Sequence, residues 1–352
     1  EDKVVTHNHS ISNLIRGVGE RVLFTDRNCT PCRQPTWSRV FHQRCGVFLR
    51  DVATLVGRQS RVTYDQFVGY YSGRRRTIYQ NAAYGLRFNP VRPRDASLST
   101  FVKAEKINWT NKPDPAPRVI QPRDPRYNTE LGRYLLPIEK KVYAAVDKVF
   151  GSPTIMSKYN SAELASVLKE KWDKFQHPVC VGMDASRFDQ HVSVQALRFE
   201  HDLYYSIFGK DKFLHMLLGW QIDNRGVARA HDGKFYYRKL GSRMSGDMNT
   251  SLGNKFLMCA MAYSYLNTLP FSVEFVNNGD DCLLILDKRN LKGLSTLEDY
   301  FTDFGFKIVR EAPVYEFEHI EFCQTKPICC NGKWRMIRNV KTCLLKDVTS
   351  VN

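Results

Sequence analysis

Cysteine is scarce in this chain. Ten in 352 residues are too few and too scattered for a disulfide scaffold, and no secretory signal is recognisable; a reduced, cytosolic setting is expected. Long apolar runs are also missing. None approaches the roughly 18 residues that a membrane-spanning helix needs. No internal repeat or long low-complexity tract is present, which excludes a repeat array. Acid is in deficit: 36 Asp and Glu stand against 52 Lys and Arg, leaving a net charge of +16.

What remains is a globular composition, 43% hydrophobic and 12% aromatic, in a chain long enough for two or three subdomains. It opens on Glu1 rather than Met, as expected of a fragment, a cleavage product or part of a longer translation product. The positive charge is concentrated: from Arg58 to Arg126 there are fourteen Lys and Arg but five Asp and Glu. Such a surface either faces a polyanion or is simply a soluble basic face.

Periodicity predicts a helix over 129–150 despite Pro137, and another from a capping box at Asn160 and Glu163 to about Phe175. HPVCVGMD reads as a buried strand ending at Asp184. Residues 194–219 read as helical, GKFYYRKL (233–240) as a strand, and the segment after SGDMNTSLGN as a long helix. A hairpin follows, then a helix near 296–304 and short strands to 338. The order points to an α+β fold with a small antiparallel sheet.

Four constellations carry chemistry. VNNGDDCLLIL (276–286) places Asp280 and Asp281 between apolar runs, next to Asn277-Asn278-Gly279, which is turn chemistry. The two carboxylates are expected to project together from the hairpin tip. They repel unless a cation such as Mg²⁺ lies between them; otherwise the segment is a solvated turn. DASRFD (184–189) places Asp184 at a strand end, where it could pair with Asp280 in a two-metal site. In SGDMNTSLGN, Ser245 and Gly246 suggest a flexible loop able to approach a phosphate or sugar. Thr250 and Asn254 share the next helical face, where an amide suits a ribose hydroxyl. The basic segment offers Lys103, Lys106, Lys112, Arg118 and Arg123 as phosphate ligands. Separately, Cys29, Cys32, His42 and Cys45 have a spacing that could make a structural zinc site; the alternative is four ordinary residues of an irregular segment.

In this order the motifs resemble those of the RNA-dependent RNA polymerases of plus-strand RNA viruses, above all the tombusvirus-like plant viruses (carmovirus and umbravirus relatives). YYSGRRRTIYQNAA (70–83) resembles motif G. FVKAEK with PAPRVIQPRDPRYNTELGRYLLPIE resembles motif F. DASRFDQHVS, SGDMNTSLGN, GDD, FGFKIVRE and EFCQTKPI resemble motifs A to E. The likeness covers most of the chain.

The resemblance implies a right-hand polymerase. Fingers would comprise 1–135 with an insertion at 194–235, palm 136–193 and 236–322, and 323–352 the rest of motif E and the start of a short or truncated thumb. It implies two Mg²⁺ ions, replaceable by Mn²⁺, on Asp184 and Asp280 with Asp281 in support. Asp189, Ser245 and Asn254 would inspect the 2′-hydroxyl, with Gly246 and Thr250 beside them. Arg118, Lys106, Lys112 and Arg123 would grip the triphosphate, and Lys307 would protonate the departing pyrophosphate. Arg74, Arg75, Arg76, Lys103, Cys323 and Gln324 would contact RNA. Implied partners are template and nascent RNA, NTPs, and a membrane-targeted replication protein or N-terminal region at replication sites in the host cytoplasm. A reverse transcriptase and a catalytically silent RNA-binding protein are the alternatives.

Overall fold

The computed structural model describes residues 4–110, 113–341 and 343–344. Two four-stranded sheets organise them. The first runs 308–310, 178–185, 281–287, 273–278 across its width, every neighbouring pair antiparallel. This is the small antiparallel sheet expected from the sequence. Its two central strands, 178–185 and 281–287, are largely continuous apolar runs because both faces are covered. Val179, Val181 and Met183 face the main core, with Phe275 and Leu284. Cys180, Val276, Leu283 and Ile285 face a second core containing Trp172 and Phe317.

The main core lies between this sheet and helices Val40–Val56, Pro125–Phe150, Val194–Phe208 and Thr250–Leu266. The last is apolar nearly all round and buried along most of its length, as a helix without a polar face must be. Pro125–Phe150 begins with Pro125 at its first turn and Asp124 as cap, runs through Pro137, and stops at Gly151 with φ 74°. The Asn160–Glu163 capping box forms as the sequence predicts, but its helix ends at Trp172.

The single helix expected over 194–219 is two, Val194–Phe208 and Lys212–Gly219. Gly209, at φ 78°, breaks the first, and the side chain of Asp211 caps the second. The second sheet runs 119–120, 98–102, 223–230, 233–240. The pair 98–102 and 223–230 is parallel, and the other pairs are antiparallel. Strand 233–240 therefore spans the expected boundary at 235/236, and the hairpin 223–240 stays in one sheet.

Candidate active site

The first sheet brings the carboxylates together. Asp184, one residue from the end of strand 178–185, is the register partner of Asp281, and on its other side it is paired with Val309. The hairpin turn is tighter than the sequence suggests. Asn277 and Asn278 belong to the strand, Asn278 pairs with Asp281, and only Gly279 and Asp280 make the turn. Gly279 has φ +89°, as a glycine-first two-residue turn requires. Asn277 braces it: its amide donates to the Gly279 carbonyl at 2.7 Å and accepts from the Gly279 N–H at 3.1 Å.

The two aspartates do not project together, which corrects the expectation above. Asp280 lines a cavity of about 580 Å³ with Asp184. Asp281 instead accepts the Cys323 backbone N–H at 3.0 Å. Burial pushes the Asp281 carboxyl up; the Cys323 hydrogen bonds hold it down, while the Asp280 and Asp184 charges raise it further. The physical reason is the pleat: Asp281 is the first residue of the strand, whereas Asp280 is still in the turn.

The same cavity is lined by four cations, Arg21, Lys103, Arg118 and Arg187. Burial pushes the Arg21 guanidinium down, and Arg187 and Arg118 repel it further. Arg118 is half exposed and reaches Glu105 at 3.2 Å, the same carboxylate that Lys103 meets at 3.1 Å. Arg187, left-handed at φ +52°, donates to the carbonyls of Glu20 and Thr25.

In the same cavity the structure joins motifs A and B. The Asn254 amide donates to Asp189 at 2.6 Å and accepts from Arg243 Nε at 3.0 Å; Arg243 in turn pairs with the buried Glu200. Burial pushes the Asp189 carboxyl up, against the Asn254 hydrogen bond and the Arg243 charge. Thr250 lines the cavity, but its hydroxyl is turned back onto the carbonyls of Met244 and Asp247 at 2.8 and 2.9 Å.

Ser245 ties the loop to the basic segment, its Oγ accepting from Gln121 N at 3.2 Å. Gly246 lies directly on that segment: a Cβ there would sit 2.5 Å from the Pro122 Cα. The loop expected to be flexible is therefore seated on its neighbour.

Several expected residues stand elsewhere. Arg123 is fully buried, held by Asp247 at 2.5 Å, the Ala96 carbonyl at 2.6 Å and Asn224 at 2.6 Å. Its fork is filled by protein acceptors, so it is a structural clasp, not a phosphate ligand. Lys106 is half buried between strands and is outside the cavity lining. Lys112 falls outside the described residues. Lys307 is exposed just before strand 308–310, where its carbonyl accepts from Ser186 N at 3.0 Å; it too is outside the cavity lining. Arg74, Arg75 and Arg76 are exposed on the first turn of helix Gly73–Phe88.

Cys323 and Gln324 form a two-residue turn with φ +51° and +61°, closed by reciprocal 2.9 Å bonds between Phe322 and Thr325. Two non-glycine residues in this region cost about 1–3 kcal/mol each. The Cys323 bond to Asp281, and the Asn278 amide 3.1 Å from the Cys323 sulfur, hold the turn against the GDD hairpin.

The proposed zinc ligands are not brought together. Cys29 is exposed, Cys32 lies beside Leu23 and Lys239, and His42 meets Asp202 at 2.7 Å. Cys45 packs into the core against Ser264, and burial pushes its thiol up to about 12, away from the thiolate that a metal needs. On the helix that begins at Val40, His42 stays exposed against Asp202 while Cys45 is buried against Ser264. Among the described residues no group of three or more His, Cys, Asp or Glu could hold a metal by itself. Mg²⁺ commonly uses one or two carboxylates plus substrate phosphates, so a pair of aspartates remains a fit.

Sequence reasoning missed Arg21, Gln121, Arg187 and Arg243. Arg187 lies inside DASRFD and Arg243 just before SGDMN, so proximity to a motif was an available signal. For Arg21 there was none.

A family model described as viral RNA dependent RNA polymerase matches residues 1–352. The chain is 48% identical over 352 residues to the RNA-directed RNA polymerase of Cucumber necrosis virus, covering 99% of this chain and 43% of that protein. It is 47% identical to that of Tomato bushy stunt virus (strain Cherry), with the same coverage, and 47% identical over 347 residues to that of Tobacco necrosis virus (strain A), covering 98% of this chain and 48% of the relative. It thus spans less than half the length of these relatives. With its whole length matched and nearly half its residues shared, the chain belongs to the viral RNA-dependent RNA polymerase family.

Proposed function

We propose that this chain is the catalytic core of an RNA-dependent RNA polymerase that copies a viral plus-strand RNA from NTPs. One observation carries the reading: a single cavity is lined both by Asp184 and Asp280 and by Arg21, Lys103, Arg118 and Arg187. A divalent cation together with a triphosphate satisfies both sets of charges at once. No Cys or His lines the cavity, and carboxylate oxygens alone suit Mg²⁺ or Mn²⁺. Asp184 and Asp280 would hold two such ions, with Asp281 in support. When bound, the ions would neutralise the reacting phosphate and acidify the attacking 3′-hydroxyl.

The chain's own groups do the positioning. Arg118, Arg21 and Arg187 grip the triphosphate, with Lys103 beside them. Their fixed cations lower the cost of charge that builds up in the transition state. Asp189 and Asn254 exchange their mutual bond for bonds to the ribose 2′-hydroxyl, which selects NTP over dNTP. Lys307 delivers a proton to the departing pyrophosphate if its exposed side chain swings inward. Arg74, Arg75 and Arg76 guide template, and the Cys323–Gln324 turn supports the nascent strand.

In this reading, fingers comprise 1–135 and 194–235, palm 136–193 and 236–322, and 323–352 open the thumb; the intact hairpin favours moving the second fingers boundary to about residue 240. A membrane-targeted replication protein, or another region of a longer chain, would bring the core to replication sites in the host cytoplasm. Among the described residues no helix is long and apolar enough to cross a membrane.

The test is incorporation of labelled NTPs, and separately dNTPs, on an RNA template with Mg²⁺, by this chain and its Asp280→Ala variant. The expected result is template-dependent NTP incorporation that falls by roughly a thousand-fold or more in the variant, with RNA affinity retained. Preference for dNTPs would replace the reading with a reverse transcriptase, and RNA binding without incorporation with a silent binding protein.

A further inference from the structure

We propose that the open face of the second sheet is a binding platform for single-stranded RNA, separate from the catalytic cavity. One face of this sheet is closed: Leu98, Val102, Val119, Ala228 and Tyr237 pack against Leu14, Val18 and Val22. The other face is open to solvent. It carries two aromatic rings that a soluble protein gains nothing by exposing, Phe101 at 43% and Tyr236 at 72% exposure.

Its cations are arranged against the stability of the sheet. In the hairpin register Arg225 lies directly opposite Arg238, and Arg229 directly opposite Lys234. Like charges in directly opposed cross-strand positions repel and weaken the pair. A merely solvated face would alternate in sign. Asp223 is the one carboxylate in the two strands, and it is taken by Arg238 in a two-pronged pair at 2.7 and 2.8 Å. Among the described residues no carboxylate pairs with Arg225, Arg229 or Lys234. Asp223 compensates the Arg225–Arg238 rung, but the Arg229–Lys234 rung is left without a carboxylate, which makes sense when a polyanion relieves it.

The aromatic placement says which polyanion. Tyr236 lies opposite Val227, between the two cationic rungs, and the Lys234 ammonium is 5.9 Å from its ring centre. A ring flanked by cations two residues apart along the strand matches a chain whose bases stack while its phosphates alternate beside them. Duplex RNA keeps its base faces stacked inside and offers no such partner. Phe101 stands one residue beyond the last parallel rung, Thr100 with Ala228, and gives a second stacking position across the sheet. None of Phe101, Arg225, Arg229, Lys234, Tyr236 and Arg238 lines the catalytic cavity. The inference shares with the proposed function only the expectation that RNA is the polymer handled, and its test reads binding and not incorporation.

The experiment is fluorescence anisotropy with a labelled oligouridylate of about 12 nucleotides, within the range such sites cover, over a series of salt concentrations. It compares the parent chain with Tyr236→Ala, Tyr236→Phe and the double change Arg229→Gln with Lys234→Gln. Photocrosslinking of a 4-thiouridine form maps where the strand lies. Tyr236→Ala is expected to weaken binding about five-fold or more, and Tyr236→Phe, which keeps the ring, to retain the parental affinity. The double variant should flatten the slope of log affinity against log salt by about 1.4, or 0.7 for each lost phosphate contact, without lowering the melting temperature. Crosslinks should fall on residues 223–240. Parental affinity and slope in every variant, or crosslinks confined to the cavity, would overturn the proposal. So would loss of binding to phosphatidylserine vesicles with RNA binding unchanged, which would assign the face to lipid. If RNA binds as proposed but no nucleotide is ever incorporated, the platform stands and the catalytic reading falls.

Discussion

The two four-stranded sheets of this molecule solve opposite problems. The sheet that carries Asp184, Asp280 and Asp281 is covered on both faces, and its charges stand at the strand ends, away from the apolar middle. The sheet that carries Arg225, Arg229, Lys234 and Arg238 is covered on one face only, and its charges crowd the other. Packing on both faces leaves a strand no freedom to slide, because a one-residue slip would turn every side chain into the wrong core. That is the rigidity needed to hold two carboxylates at a fixed separation. An open face can tolerate like charges side by side, since water screens them until a ligand arrives.

The contrast can be broken at four places. The largest stability effect is expected at Arg123, which ties the closed side of the open sheet to the motif B loop through Asn224 and Asp247. Arg123→Ala strands the Asp247 carboxylate in the interior and should cost about 3–5 kcal/mol in denaturant unfolding. Arg118→Ala, five residues earlier and half exposed, should leave stability within about 0.5 kcal/mol and mainly raise the KM for NTP. Equal losses of stability from both changes would mean that the two arginines are not divided as described.

Next comes packing. Ile285→Ala, fully buried in the closed sheet, should cost about 2–5 kcal/mol. Val227→Ala, half exposed on the open sheet, should cost less than about 1 kcal/mol. Comparable losses would show that the open face is covered after all.

Protonation gives an intermediate effect. His201 is buried behind the Asp189–Asn254–Arg243 chain, and burial depresses its pKa to about 4, outweighing the Glu200 charge. The native state therefore holds it neutral, while the unfolded chain protonates it near the ordinary 6.5. Stability is intact above that value and is lost as pH falls towards 4. The loss between pH 7 and 5 should be on the order of 2 kcal/mol. His201→Gln should flatten the dependence of Tm on pH across this window; an unchanged slope would exclude His201 as its source.

The smallest effect is on the open sheet. Arg229→Gln should raise stability by a few tenths of a kcal/mol at low salt, because it removes the like-charge rung with Lys234, and the gain should vanish at high salt.

Much of the strand pair that carries Asp184 and Asp281 was legible in the residues. Short continuous apolar runs, one ending in Asp184 and another beginning at Cys282 beside turn residues, read as strands buried on both sides. The Asn160 capping box read correctly for the same kind of reason, since its bonds span three residues. The divergence of Asp280 and Asp281 was not legible. It turns on whether the turn holds Gly279-Asp280 or starts at Asn277, a shift of two residues that composition does not encode. Strand 223–230 was missed because Asp, Asn, Arg and Gly break its apolar pattern, and its pairing with 233–240 and 98–102 is what makes it a strand.

Sequence alone determined the chemistry available to this chain: which carboxylates end apolar strands, where the cations concentrate, and the order of motifs that marks the family. Those properties are local, written in side-chain type and short spacing. Tertiary structure decided which charges remain usable. Arg118 and Arg123 belong to the same short basic segment, yet one faces a cavity and the other is clasped by Asp247, Ala96 and Asn224. Desolvation and partner geometry separate them, and for Arg123 they depend on Asp247 and Asn224, each a hundred or more positions away.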